Sequence, residues 1–171
     1  MTRMERRRAE KKLREARFFL GRLREEEGQA VRPEPEAFDF YASGFLAAAV
    51  SVIYALRYEN RGSFDHWFSK WKKALPPEDA QLLGRGWGER DAEVHETGAD
   101  IVREQRAMRP ELVKGFHIVA PLHPGTTLAT GTWVSVDEHY FDTGEERVEA
   151  VDLFRQFLGL LDRLLSELPK S

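Results

Sequence analysis

The chain has 171 residues, 42% of them hydrophobic and 32% charged, the balance of a soluble globular protein able to bury its own core rather than of a disordered segment. A formal net charge of -3 gives no global attraction for nucleic acid, so any such binding must come from a local patch. Cysteine is absent, which excludes disulfides, thiolate metal sites and cysteine nucleophiles.

From about Arg3 to Glu27 the pattern is helical, with Leu13, Ala16, Phe19, Leu20 and Leu23 recurring at three- and four-residue steps. The opposite face carries Arg6, Arg7, Arg14 and Arg17, interleaved with Glu5, Glu10 and Glu15. This stripe reads either as an electrostatic track for RNA or as a solvated face with i,i+4 pairs such as Glu10 and Arg14, and charge runs on helix surfaces favour the second reading. The same segment has the charge of a secretion signal but no apolar stretch after it, so a cytoplasmic protein is expected.

Pro33 and Pro35 end this helix, and a second runs to about Asn60. Its uncharged stretch, Phe40 to Leu56, is slightly shorter than the roughly 20 residues a membrane span needs and holds Ser43, Gly44 and Ser51. A buried core helix is the better reading, and its small residues would let another helix approach closely. A shorter helix is expected next, capped by Ser63, with Phe64, Trp67, Phe68 and Trp71 as a stripe that reads as core before it reads as a base-stacking surface.

Pro76 and Pro77 open a third main helix, expected to persist to about Met108, before Pro110. Gly84, Gly86 and Gly88 suggest a break or a place where something must come close. After Pro110 the alternation of Phe116, Ile118 and Ala120, the turn at Pro124-Gly125, the run from Leu128 to Val136 and the pair Tyr140 and Phe141 predict a small antiparallel sheet. A helical pattern returns from Glu145 to Leu168, with an apolar face broad enough for the bundle and a second copy. The expected fold is thus one mainly α domain over 1–171, an up-and-down bundle with a basic first helix (1–27) and a β insertion (110–144) before the last helix.

Chemistry concentrates in LLGRGWGERDAEVHETG, residues 82–98. Asp91 and His95, at i,i+4, are neighbours on a helix, so the carboxylate can hold the imidazole, and Arg90 offers a fork of donors suited to phosphate. An imidazole, a carboxylate that orients it and a phosphate clamp are the parts that move a proton beside a phosphodiester. The bland alternative pairs Arg90 with Glu93 and places His95 in a core or dimer seam. Arg61 and His66 repeat the spacing elsewhere, so the spacing alone proves nothing. Five residues on an ideal helix rotate by roughly 140° and rise about 7.5 Å, so a two-fold dimer pooling both copies is the natural way to join Arg90 and His95. His117, His123 and His139 with Asp137 and Glu138 match no metal-ligand spacing, and no metal or other cofactor is expected.

The motif Arg90, Asp91 and His95 in ERDAEVHETG resembles the R-x(4-6)-H signature of the HEPN proteins, four-helix modules, and FDFYASGFLAAAVSVIYAL, FDHWFSKW and the closing helix are similar in order and character. The resemblance covers roughly residues 37 to 108 and 145 to 168. It implies a metal-independent endoribonuclease, often a toxin or defence effector, working as a homodimer with or without an antitoxin or other partner protein. His95 would be general base or acid, Arg90 would stabilise the phosphorane and Asp91 would orient the site. Arg6, Arg7, Arg14 and Arg85 are the candidate RNA-binding residues. The chain departs from the pattern in carrying Asp91 where Asn is more usual and Thr97 where some members have tyrosine. A non-catalytic helical dimer that binds a nucleotide, RNA or a partner protein is the alternative.

Overall fold

The computed structural model describes residues 3–27, 36–58, 61–95, 101–108, 134–142 and 147–169, with side chains at all of these but 3–5, 89–95, 134 and 142. Among these residues five helices and three strands follow in the order α1 (Arg3–Glu26), α2 (Ala37–Arg57), α3 (Arg61–Ala74), α4 (Pro77–His95), β1 (Ile101–Met108), β2 (Val134–Asp142), β3 (Arg147–Glu149) and α5 (Ala150–Glu167). The protein is mainly helical, with a small three-stranded antiparallel sheet.

On α1 the buried positions are Ala9, Leu13, Ala16, Leu20 and Leu23, the three- and four-residue spacing that makes one apolar stripe. That stripe lies along α2, and because Arg8 stands over the Tyr58 ring while Phe19 meets Gly44, the two helices run antiparallel. Gly44 makes the approach possible: a Cβ there would fall 2.6 Å from Cε1 of Phe19. α2 is long and apolar enough to cross a membrane by length and composition, yet half of its apolar window is buried inside this bundle. Eleven of its residues are buried, among them Phe38, Phe45, Val52, Ile53 and Leu56, because α1, α3, α4 and α5 all pack on it.

α5 and α4 are antiparallel too. Arg163 donates to Asp79 at 2.8 Å near one end of the pair, and Phe157 meets Gly86 a few turns along. The broad apolar face of α5, from Leu153 and Phe154 to Leu164 and Leu165, is consumed inside the chain. Its Phe154 lies between Phe45 of α2, 4.6 Å between ring centroids, and Phe141 of β2 at 5.5 Å edge-to-face, which is how the sheet joins the core.

Four expectations are corrected. The third main helix ends at His95, and residues 101–108 form β1 instead of continuing it. Their backbone pairs with β2 from Ile101 opposite Phe141 to Met108 opposite Val134, and Arg103–Asp137 at 2.5 Å and Arg106–Glu138 at 3.1 Å add charge pairs across the ladder. The sheet therefore begins before residue 110 and extends past 144, since β3 pairs Arg147 with Asp142 and Glu149 with Tyr140, and α5 starts only at Ala150. The expected strand over 116–120 and the start of that over 128–136 lie outside the described residues. Lastly, α3 starts at Arg61, two residues before the expected cap Ser63. An earlier start sets Arg61 one turn before Asp65, their charges 3.8 Å apart, and Asp65 also takes two bonds from Arg57 of α2.

Candidate functional site

α4 carries the motif. It runs unbroken through Gly84, Gly86 and Gly88, so the glycines neither break the helix nor delay its start to Glu89. Gly86 has a packing reason: a Cβ there would fall 2.6 Å from Cζ of the buried Phe157. Gly84 and Gly88 face open space and have none. The helix ends at His95, which puts Arg90, Asp91 and His95 on one element with Asp91 and His95 one turn apart. Their side chains lie outside the described residues. Arg61 and His66, the second match to the spacing, are both exposed on α3, where Arg61 pairs with Asp65.

A groove of about 440 Å³ opens between α2, α3 and α4, next to the motif. Ile53 and Arg57 come from α2, Phe64, Asp65, Phe68, Ser69, Lys72 and Lys73 from α3, and Trp87 from α4. Arg90 and Asp91 follow Trp87 at i+3 and i+4, hence one turn further along the α4 backbone. The aromatic stripe of α3 divides by depth. Phe64 and Trp71 are buried, as a core stripe should be, while Trp67 and Phe68 are half-buried against the core. Phe68 stacks on Phe64 at 5.2 Å and on Trp71 at 5.8 Å, and Trp71 is fixed by its indole N–H donating to Glu167 of α5 at 2.6 Å. Trp87 meets Tyr54 edge-to-face at 5.6 Å.

Charge in the groove is uneven. Arg57 donates to both carboxylate oxygens of Asp65, at 2.7 and 2.9 Å, and this guanidinium holds the Asp65 carboxyl below its ordinary value while its own is raised. Lys72 and Lys73 have no acidic partner among the described residues. Lys72 stands 5.9 Å over the Phe68 ring. Both lysines sit in the last turn of α3, where cations also suit the helix dipole. Sequence reasoning missed this groove. The available signal was KWKK at the end of the aromatic stripe, but the walls come from three helices.

The candidate RNA-binding arginines are dispersed. Arg6, Arg7 and Arg14 are exposed on α1, and Arg85 is half-buried on α4. Arg6 pairs with Glu10 at 3.2 Å, which takes the carboxylate expected for Arg14, and Arg17 bonds Asp162 of α5. Arg14 borders a shallow depression with Lys11 and Phe18, a residue 56% exposed.

His139 has a structural place. It is 2% exposed, stacks on Phe38 at 3.5 Å and 5°, and meets the Glu27 carboxylate twice: its backbone N–H donates to Oε1 at 3.3 Å and its Nδ1 lies 3.2 Å from Oε2. Beside it Tyr140 donates to Glu138, a bond that, with burial, pushes the phenol up to about 12. No three His, Asp or Glu among the described residues could share a metal ion. His117 and His123 lie outside those residues. No family model, curated protein or solved structure matches the chain, so the reading of the site rests on its own residues.

Proposed function

We propose that this is a HEPN-like helical domain that cleaves RNA without a metal, as a homodimer whose two α4 helices meet across a two-fold axis. The observation that carries the reading is the continuity of α4 as far as His95, which sets Asp91 and His95 at i,i+4 with Arg90 beside them. In this reaction His95 removes the proton of a ribose 2′-hydroxyl, and the 2′-oxygen attacks the adjacent phosphorus. Arg90 stabilises the charge gathered on the phosphorane oxygens. The P–O5′ bond breaks as a protonated imidazole returns a proton to the leaving oxygen, leaving a 2′,3′-cyclic phosphate and a 5′-hydroxyl. Asp91 orients the imidazole. The second α4 supplies that protonated imidazole, its own His95, and brings Arg90 of one copy to His95 of the other, which a single helix separates by roughly 140°. A cytoplasmic toxin or defence effector, restrained by an antitoxin or other partner, is the setting that fits such an activity.

Incubation of the purified protein with mixed RNA in EDTA tests this. Wild type is expected to cut and leave cyclic-phosphate ends, and His95→Ala and Arg90→Ala to lose at least 100-fold in rate while keeping the fold. RNA left intact by a folded wild-type dimer moves the conclusion to the second reading, a non-catalytic dimer that binds a nucleotide, RNA or a partner protein. The lysine-flanked groove favours that alternative, because it can hold a ligand with no chemistry from α4.

A further inference from the structure

We propose that the groove between α2, α3 and α4 binds unpaired RNA, a base resting against Phe68 and Trp87 and the neighbouring phosphates on Lys72 and Lys73; as an account of substrate choice this rests on the ribonuclease reading above. The chain as a whole is acidic, at -3, yet α3 carries Arg61, Lys70, Lys72 and Lys73 against the single carboxylate Asp65. Arg57 is held by that carboxylate in a two-pronged bond, so the cations left for a ligand are the two lysines at the rim. Phosphate is the anion that comes with a flat partner attached, and the groove offers that partner a surface. Phe68 is half-buried and near-parallel to Phe64 and Trp71, and half-buried Trp87 also lines the groove. A volume of about 440 Å³ is in the range of small-ligand pockets.

Strand state follows from the aromatic walls. In a duplex the base faces are already covered by their neighbours, so only an unstacked base can use Phe68 and Trp87. Position on α4 links groove and motif. Trp87 lines the groove and Arg90 lies one turn, about 4.5 Å, further along the α4 backbone, so groove and motif share one helix.

The test uses the full chain carrying His95→Ala, in EDTA, so that bound RNA stays intact. Fluorescence anisotropy is measured with a labelled unstructured 12-nucleotide RNA, the same sequence as a duplex, and a poly-glutamate peptide, across a salt series. Single strand is expected to bind at least tenfold tighter than duplex and than the peptide. Adding Lys72→Ala and Lys73→Ala should weaken it at least tenfold and lower the log-log salt slope by about 1.4, about 0.7 for each single-strand phosphate that a lysine no longer neutralises. Phe68→Leu should weaken binding and leave the slope unchanged. Both lysines are exposed, so an unaltered thermal midpoint is expected to certify the fold. Equal binding of strand and duplex, preference for the peptide, or no effect of the lysine pair would overturn the proposal. Cleavage by the otherwise wild-type chain separates the two ideas. If Lys72→Ala with Lys73→Ala cuts with unchanged KM, the groove proposal falls and the nuclease stands. Groove-dependent binding without any cleavage keeps the groove and removes the nuclease.

Discussion

At the scale of single residues, the three glycines of α4 separate two effects that are usually confounded. All lie in a helix interior, where alanine is favoured by about 1 kcal/mol. At Gly84 and Gly88 a methyl meets nothing within 4 Å, so Gly84→Ala and Gly88→Ala should each raise stability by up to about 1 kcal/mol, read from the urea midpoint. At Gly86 the same methyl would fall 2.6 Å from a phenyl ring that is itself buried, and Gly86→Ala should lower stability by about 1–3 kcal/mol. Asp65 gives a titration signature of known sign. Its carboxyl is held below the ordinary 3.8 by the bond from Arg57. The pair's contribution is therefore full above that value and is lost as pH falls through the lower, folded-state value. Asp65→Asn should flatten the acid limb of the thermal midpoint against pH; a limb identical to wild type would mean the pair adds nothing.

Between elements, Glu27 at the end of α1 is one of the fastenings that hold the sheet to the helices. With its side chain removed, the buried backbone N–H and imidazole of His139 lose the carboxylate they meet. Glu27→Ala should therefore cost about 1–3 kcal/mol and raise hydrogen exchange in β2 before α5. A uniform rise across both would indicate that sheet and bundle unfold together. Legibility also divides at this scale. The stripe of α1 and the crowded small residues of α2 could be read because each is a repeat within one helix, satisfied by the neighbour next in sequence. β1 could not. Arg103, Glu104, Gln105, Ala107 and Met108 are good helix formers, and what makes them a strand is a partner beginning 26 residues later, at Val134. The candidate site was half legible for the same reason. Arg90, Asp91 and His95 are a local spacing, whereas Arg57, Lys72 and Trp87 come together only through helix packing.

At the scale of the molecule, the apolar faces of α1, α2 and α5 close on one another among the described residues. What stays outside is aromatic and scattered: Phe18, Phe40, Tyr54 and Tyr58. A homodimer built on α4 draws on none of these faces, and sedimentation between about 1 and 100 µM should show mass rising toward twice that of the chain. The mass of one chain at all concentrations would remove the composite site.

Chain order gives the packing of Phe154 on Phe45 another meaning. α2 holds the longest apolar surface and is complete at residue 57, but α5, which covers its Phe45 through Phe154, begins only at residue 150. At about 5–20 residues per second, a ribosome needs roughly 5–20 seconds to deliver the missing cover. Throughout that interval α1 and α2 are complete, but Phe45 lacks its contact with Phe154.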